Sequence, residues 1–195
     1  MLILASRSPR RHNLLRATGI EFRIAAPLVE DTAPRRLRGS YAALVKRSAL
    51  EKAQSVDARG NIVLGADTIV VCDGEVLGKP RDERDARRML RMLAGRWHRV
   101  YTGVALVSTG APPAREMRRL VDYECTEVAF RALSKREIDR YVETGEPMDK
   151  AGAYAIQGEG AGLIRTLRGC YTNVIGLPLP RLIEMLAEFG AERYG

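Results

Sequence analysis

The sequence predicts an α/β fold in which a mixed, twisted sheet is flanked by helices. Short apolar runs typical of strands alternate along the chain with segments whose apolar residues recur at helical spacing. Hydrophobic residues make up 46% and charged residues 29% of the 195 residues, which is the composition of a folded globular chain. Because no convincing linker divides these elements, we expect one domain over residues 1–195.

The first elements alternate between strand and helix. LILA is typical of a strand, and Ser8 with Pro9 then predicts a helix start with a hydroxyl cap and a proline at the first helical position. Gly19 is expected to end that helix. FRIAA predicts a second strand, and residues 41–56 carry apolar side chains at helical spacing.

The middle and end of the chain continue this pattern. NIVLGADTIVVC predicts one long buried strand, or two strands interrupted at GAD, and the Asp-Gly pair of CDGEV predicts a tight hairpin turn. A helix is expected from about Asp82 to Ala94, followed by two half-buried strands joined by GAPPAR. SKRE forms a capping box from Ser134 to Glu137. LIRTL and YTNVIG are expected to be strands, and PRLIEMLAEFG a final helix.

Charge and cysteine content narrow the functional classes. The formal charge is +8, with 32 lysines and arginines against 24 acidic residues, which fits either an arginine-rich surface or a polyanionic ligand. Three widely spaced cysteines and two histidines argue against a zinc site, a disulfide framework and a Ser-His-Asp triad. Neither a membrane span nor a signal peptide is indicated, so we expect a cytoplasmic protein without a membrane partner.

The segment SRSPRR concentrates hydrogen-bond donors at the end of the first predicted strand. The N–H groups at a helix N-terminus carry partial positive charge, and Ser6, Arg10 and Arg11 stand beside them. This combination predicts an anion site, for which phosphate is the natural ligand. The alternative is a capped helix whose arginines are solvated.

A carboxylate interrupts the apolar run GADTIVV. Asp67 must be paired, bind a metal or face a cleft at a strand end; the alternative is a structural aspartate that caps nearby amides. Thr68 follows it directly. Lys79, within the stiff segment GKP, either faces an anion or is an ordinary surface lysine.

Two further segments supply candidates. In MDKAGAYAIQGEGAGL, small residues predict close backbone approach, and the Gln157 amide offers a donor and an acceptor that suit a base edge; the alternative is a flexible loop without a ligand. Glu30 precedes Asp31 after an apolar stretch, and adjacent carboxylates suit Mg²⁺ or Mn²⁺. Lys52 in ALEKAQS is a further candidate, although Glu30 and Lys52 are each also compatible with a surface position.

Long motifs recur here in a fixed order: LASRSPRRHNLL, the Glu30 position, LEKAQSV, GADTIVVCDGEVLGKPRD, TEVAFRALS, DKAGAYAIQG and YTNVIGLPL. In order and spacing they resemble the Maf family of nucleoside triphosphate pyrophosphatases, from Leu4 to about Leu186. The resemblance implies an α/β fold shared with inosine triphosphate pyrophosphatases, with two lobes around a cleft. It also implies a divalent cation, Mg²⁺ or Mn²⁺, and cleavage of a nucleoside triphosphate to monophosphate and pyrophosphate.

Within that family, ADT followed by DKAGAYAIQG resembles the branch that acts on dTTP and UTP. By match to the motifs, Asp67 takes the proton-acceptor position, and Arg10, Thr68 and Gln157 take positions linked to substrate choice. GCYTNVIG stands where the family usually has GSYSNVVG, so that Cys170 replaces a serine. Two alternatives remain: a pyrophosphatase for modified nucleotides such as 7-methyl-GTP, and a non-enzymatic nucleic-acid-binding septum regulator.

The resulting expectation assigns a role to each candidate. Asp67 accepts a proton from the attacking water, or a metal activates that water, and both routes stay open. Glu30 and Asp67 are the expected metal ligands, and the substrate is expected to contact Ser6, Arg10, Arg11, Lys52, Thr68, Lys79 and Gln157. The expected partner is a small-molecule nucleoside triphosphate. A homodimer is compatible with the sequence, whereas nucleic acid is not expected, because only three Phe and one Trp are present for base stacking.

Overall fold

One mixed sheet runs through the structure, a computed structural model that describes residues 1–29, 39–57, 60–109 and 117–190. Across these residues the sheet has seven strands: β1 (Leu2–Ala5), β2 (Phe22–Ala25), β3 (Ile62–Cys72), β4 (Glu75–Leu77), β5 (Trp97–Thr109), β6 (Met117–Phe130) and β7 (Ile164–Arg168). The helices are α1 (Pro9–Ala17), α2 (Tyr41–Gln54), α3 (Glu83–Leu93), α4 (Lys135–Glu143), α5 (Tyr171–Ile175) and α6 (Leu179–Glu188). Short 3₁₀ helices occupy Glu146–Asp149, Ala151–Ala153 and Gly158–Leu163.

The strand order is β2-β1-β3-β5-β6-β7, and β4 also pairs with β3. β1 lies parallel to both β2 and β3, whereas the remaining neighbours pair antiparallel. Parallel neighbours need crossover connections, which here contain α1 and α2. The mixed α/β class predicted from the sequence is therefore confirmed.

One edge of β3 is covered in two separate pieces. β1 pairs with it as far as Gly65, and β4 pairs with it from Val70 onward. Among the described residues, no strand covers residues 66–69 on that edge, although β5 covers them on the other. The uncovered interval contains Asp67 and Thr68, which places both at an opening in the sheet.

Helix α2 packs directly against the backbone of β3 and β5. A Cβ at Gly65 would lie 2.2 Å from the carbonyl oxygen of Ala49, and one at Gly103 would lie 2.1 Å from that of Val45. Only glycine permits such contact. The helix therefore sits close enough to carry its last turn, with Lys52, beside the middle of β3.

Two apolar clusters lie on the opposite face of the sheet. The first, here called the α6 lobe, includes Leu2, Leu64, Leu106, Leu182 and Leu186. The second, here called the α3–α4 lobe, includes Val70, Leu90, Phe130, Ile138 and Tyr141. Along β3, alternation places Thr68 between the two clusters, since side chains two residues apart share a face. The two lobes expected from the sequence are thus present, with a polar row between them.

Most predicted elements are confirmed by the structure. NIVLGADTIVVC is one continuous strand, the CDGEV hairpin joins β3 to β4, and the predicted helix from Asp82 to Ala94 is observed as Glu83–Leu93. Ser134 and Glu137 form both hydrogen bonds of the capping box. The GAPPAR connection lies outside the described residues. No described helix is both long and apolar enough to cross a bilayer.

Two local predictions are wrong. YTNVIG is not a strand, because residues Tyr171–Ile175 form α5. Its helical turn lets the buried Asn173 amide donate to Val100 O at 3.0 Å, a tertiary contact that local pattern does not reveal. Ser8 occupies the N-cap of α1, but its side chain makes no capping hydrogen bond. Instead the Ser6 hydroxyl accepts from the Ser8 N–H at 3.1 Å.

Candidate active site

A cleft of about 520 Å³ opens between the α6 lobe and the α3–α4 lobe. Its volume is within the range of about 300–1,000 Å³ that is usual for small-molecule sites. It is lined by every predicted site residue that the structure describes: Ser6, Arg10, Arg11, Lys52, Asp67, Thr68, Lys79 and Gln157. Glu30, the remaining predicted residue, lies outside the described residues. The fold thus brings together segments that are far apart in the sequence.

Asp67 forms a buried ion pair with Lys52 at the uncovered interval of β3. The Lys52 ammonium donates to Asp67 Oδ1 at 2.5 Å, and the two residues are only 5% and 7% exposed. A buried carboxylate needs such a partner, because desolvation of an unpaired charge is costly. Of the roles left open by the sequence, the structure shows that Asp67 is both paired and at a cleft wall.

Thr68 belongs to a hydrogen-bonded polar row between the two lobes. Its hydroxyl accepts from Arg11 Nη2 at 3.0 Å and lies 3.0 Å from the hydroxyl of Thr102. Thr102 in turn donates to Asn173 O at 3.1 Å, and the Asn173 amide donates to Thr126 Oγ1 at 2.9 Å. This network fixes the Thr68 side chain at the cleft and connects it to β5, β6 and α5.

Arg11 ties three segments together at the base of the cleft. Besides Thr68, its Nε donates to Gly176 O at 2.8 Å, and its Nη1 lies 3.5 Å from the Ser6 hydroxyl. These contacts join the β1–α1 junction to β3 and to the end of α5. The contact with substrate expected for Arg11 stays a prediction, since the guanidinium here braces the walls around Ser6 and Thr68.

Arg10 reaches across the cleft to the opposite wall. Its Nη1 donates to Asp149 Oδ2 at 2.8 Å, between residues 139 positions apart in the sequence. Partial burial alone would raise the pKa of Asp149, but hydrogen bonds from Lys150 and Arg10 outweigh it and lower that pKa. Asp149 stands out in the sequence as a charged residue beside the small residues of DKAGAY, but no site role is predicted for it there.

The cleft wall on the side of the α3–α4 lobe includes Gln157, Lys79 and Tyr154. Gln157 is exposed and stands at the N-cap of the 3₁₀ helix Gly158–Leu163. Lys79 is also exposed at the cleft. Tyr154 is buried, and its hydroxyl lies 2.8 Å from His98 Nε2. Sequence reasoning missed this pair, although His98 alternates with Val100 and Thr102 on one face of β5.

His98 is enclosed behind the Tyr154 wall. Its ring makes edge contacts with Phe130 and Tyr154, at centroid distances of 5.1 and 5.3 Å. Burial lowers the pKa of His98 to about 4, so the imidazole is neutral at physiological pH. The neutral His98 imidazole therefore packs against the Tyr154 ring and hydrogen-bonds to its hydroxyl.

The described residues offer few ligands for a divalent cation. Among them, no group of three or more His, Cys, Asp or Glu side chains lies close enough together to hold a metal ion. Asp67 supplies one hard carboxylate at the cleft. Mg²⁺ typically takes one or two protein carboxylates and completes its shell with substrate phosphates and water. The chemistry of Asp67 fits this mode of binding.

Comparison with known proteins identifies relatives across the chain. The family model described as Maf-like protein matches residues 1–189. A dTTP/UTP pyrophosphatase of Symbiobacterium thermophilum is 56% identical over 191 residues, which cover 97% of this chain and 94% of that protein. One of Dictyoglomus thermophilum is 48% identical, with 97% and 96% covered. The solved structure of the Staphylococcus aureus Ham1 protein aligns at 13% identity with a TM-score of 0.44, over 84% of this chain and 79% of that one. By sequence, this chain belongs to the Maf family.

Proposed function

We propose that this protein is a nucleoside triphosphate pyrophosphatase that hydrolyses dTTP and UTP to the nucleoside monophosphate and pyrophosphate. The observation that carries the proposal is the convergence of the predicted anion-binding and base-reading residues on one cleft. The names of the relatives agree with this activity, since both the Symbiobacterium and the Dictyoglomus proteins are called dTTP/UTP pyrophosphatases.

The charge of the cleft suits a triphosphate. The described walls carry two carboxylates, Asp67 and Asp149, against six cationic side chains: Arg7, Arg10, Arg11, Lys52, Lys79 and Lys150. Arginine and lysine bind phosphate through charge-assisted hydrogen bonds, and the N-terminus of α1 adds partial positive charge. In this proposal Ser6, Arg10, Arg11 and Lys79 bind the phosphates.

Asp67 is the proposed proton acceptor. The Lys52 ammonium holds Asp67 Oδ1, and the carboxylate takes a proton from the attacking water. The water oxygen forms a bond to phosphorus as the bridging bond between the α- and β-phosphates breaks, and pyrophosphate leaves with that electron pair. Lys52 orients the Asp67 carboxylate, and the cations of the cleft stabilise the charge that develops on the phosphate oxygens.

A divalent cation, Mg²⁺ or Mn²⁺, belongs to the proposal. Asp67 would hold it together with Glu30, and when bound it would neutralise phosphate charge and act as a Lewis acid. Support comes from the hard carboxylate at the cleft and from the charge of a triphosphate substrate.

Base choice is assigned to Gln157 and Thr68. Uracil and thymine present an N3–H donor between two carbonyl acceptors, and the Gln157 amide offers a matching acceptor and donor. Cytosine presents an amino group and an unprotonated N3, which mismatch the same orientation of the amide. Gln157 supports this role by its exposed position on the cleft wall.

The experiment is a nucleotide panel with Mg²⁺ or Mn²⁺, in which monophosphate and pyrophosphate are quantified for UTP, dTTP, CTP, dCTP and 7-methyl-GTP. We expect UTP and dTTP to have the highest kcat/KM. Release of nucleoside diphosphate and orthophosphate would contradict the cleavage position, and a preference for 7-methyl-GTP would favour the alternative substrate.

The remaining proposals concern the chain as a whole. We infer that residues 1–195 act as one domain, because the two lobes share one sheet. We also propose a cytoplasmic location, which suits a nucleoside triphosphate substrate, and a homodimer, which light scattering can test.

A further inference from the structure

The backbone on both sides of Gln157 is held by two side chains from outside that segment. Glu146 lies in the 3₁₀ helix Glu146–Asp149, and Tyr141 lies in α4. Neither belongs to the residues that line the cleft. Together they are here called the Glu146 clamp.

The clamp closes on the residues that follow Gln157. Glu146 Oε2 accepts from the backbone N–H of Glu159 at 3.1 Å. Glu146 Oε1 accepts from the N–H of Gly160, also at 3.1 Å, and from the hydroxyl of Tyr141 at 2.8 Å. One carboxylate therefore fixes two successive amides of the 3₁₀ helix that Gln157 caps.

The clamp also reaches the residues that precede Gln157. The Tyr141 hydroxyl, which donates to Glu146, accepts from the backbone N–H of Ala155 at 3.2 Å. Burial, followed by the hydrogen bond to Glu146, raises the pKa of Tyr141, so its hydroxyl stays protonated and able to donate. The backbone is therefore held both before and after Gln157 by the hydrogen-bonded pair of Tyr141 and Glu146.

The fit of this segment against the carboxylate is tight. Gly158 has a φ of +68°, and a Cβ there would lie 2.6 Å from Glu146 Oε2. On the other side, Lys150 Nζ donates to the backbone carbonyl of Glu146 at 2.6 Å, which anchors Glu146 to the cleft wall. The position of the Glu146 carboxylate therefore determines the path of the chain beside Gln157.

We infer that Glu146 is a positioning residue for base selection, because it fixes the backbone from which the Gln157 side chain extends at the cleft. The inference rests on the proposed function of Gln157. If the backbone at Gln157 can shift, its amide can reach cytosine as well as uracil, so loss of the clamp reduces the discrimination between UTP and CTP more than it reduces turnover.

The test compares Glu146→Gln with Glu143→Gln, a matched control three residues earlier in the chain. Glu143 is exposed and ends α4, and the same charge is removed in both variants. In Glu146→Gln an amide NH₂ faces a backbone N–H, so at least one clamp hydrogen bond is lost. The ratio of kcat/KM for UTP to that for CTP should fall about three- to tenfold, the range expected from one positioned hydrogen bond. The control should keep the wild-type ratio.

A double variant separates positioning from a merely structural role. If Glu146 acts through Gln157, Glu146→Gln combined with Gln157→Ala should have the same UTP-to-CTP ratio as Gln157→Ala alone. Equal losses of kcat/KM for UTP and CTP in Glu146→Gln, with an unchanged ratio, would overturn the inference. Should Glu146→Gln fail to fold, Tyr141→Phe removes the other half of the clamp and is expected to lower the ratio as well.

Failure of the inference and failure of the proposed function give different results. A wild-type enzyme without a preference for UTP over CTP contradicts the proposed base choice and, with it, this inference. A wild-type preference that Glu146→Gln and Tyr141→Phe both retain contradicts the inference alone. Faster amide hydrogen exchange over residues 155–160 in Glu146→Gln, together with a lowered ratio, supports it.

Discussion

Replacing Asp67 by asparagine tests two roles of the buried Lys52–Asp67 pair. The substitution keeps the shape of the side chain but removes its charge, so it removes the proposed proton acceptor. We expect kcat for UTP to fall about 10²-fold or more, the loss typical of a positioned base, while nucleotide binding is largely retained. Quenched-flow or steady-state measurement of pyrophosphate release gives kcat, and binding is measured with the nucleotide in excess EDTA.

The same substitution should destabilise the fold. Lys52 and Asp67 are 5% and 7% exposed and their charged groups are 2.5 Å apart, so Asp67→Asn removes a carboxylate charge that directly faces the buried ammonium. Removal of one partner of a buried pair costs about 3–5 kcal/mol, and we expect about 2–4 kcal/mol here because the amide oxygen still accepts from Nζ. Denaturant unfolding provides the free energy.

A second variant separates the two effects. Lys52→Met in the Asp67→Asn background removes the remaining charge, and replacement of a whole buried pair is often neutral for stability. The double variant should therefore recover most of the lost free energy of unfolding and none of the lost kcat. A double variant no more stable than Asp67→Asn would refute the reasoning on the ion pair, and near-native kcat in Asp67→Asn would refute the assignment of the proton acceptor.

Three further predictions concern the metal, the phosphates and His98. Stripping divalent cations with EDTA should abolish pyrophosphate release and added Mg²⁺ or Mn²⁺ should restore it, whereas full turnover after stripping would remove the cation from the proposal. Arg10→Ala should lower kcat/KM for UTP, and the loss of transition-state stabilisation should be about 1.5–3 kcal/mol, the value of one charge-assisted contact. Arg16→Ala, at the exposed end of the same helix, is the control and should change little. For His98, the free energy of unfolding should decline as the pH falls from about 6.5 towards 4, because the unfolded chain binds a proton that buried His98 excludes. Comparison of unfolding at pH 7 and pH 5 should show a smaller decline in His98→Gln, and an identical decline would contradict it.

Local pattern predicted most of the fold because the relevant signals are local. The Asp-Gly hairpin and the Ser134–Glu137 capping box depend on residues within a few positions of one another. The segment of α5 was mispredicted because Val174 and Ile175 suit a strand, whereas its conformation is fixed by contacts of Asn173 with distant strands. Propensity cannot record such contacts.

The same limit applies to the candidate site. Asp67 and Gln157 stand out because a charged or amide side chain interrupts an apolar or small-residue background. The contacts around the site are not visible in the sequence: Asp149 meets Arg10 only through the fold, and Glu146 acts on a segment more than ten residues away, at Gly160. Motifs thus identify which residues face the cleft, but the contacts that orient them depend on the packing of the two lobes.

The broken coverage of β3 also bears on aggregation. An uncovered strand edge is a template on which another chain can pair, and proteins usually shorten or block such edges. Within the part of the chain that the structure describes, residues 66–69 have no strand beside them between the segments paired with β1 and β4, so a foreign strand would collide with one of those strands before it formed a ladder. Four residues are also shorter than the usual strand of about 5–6 residues. The interval that brings Asp67 and Thr68 to the cleft is therefore too short to serve another chain as a pairing edge.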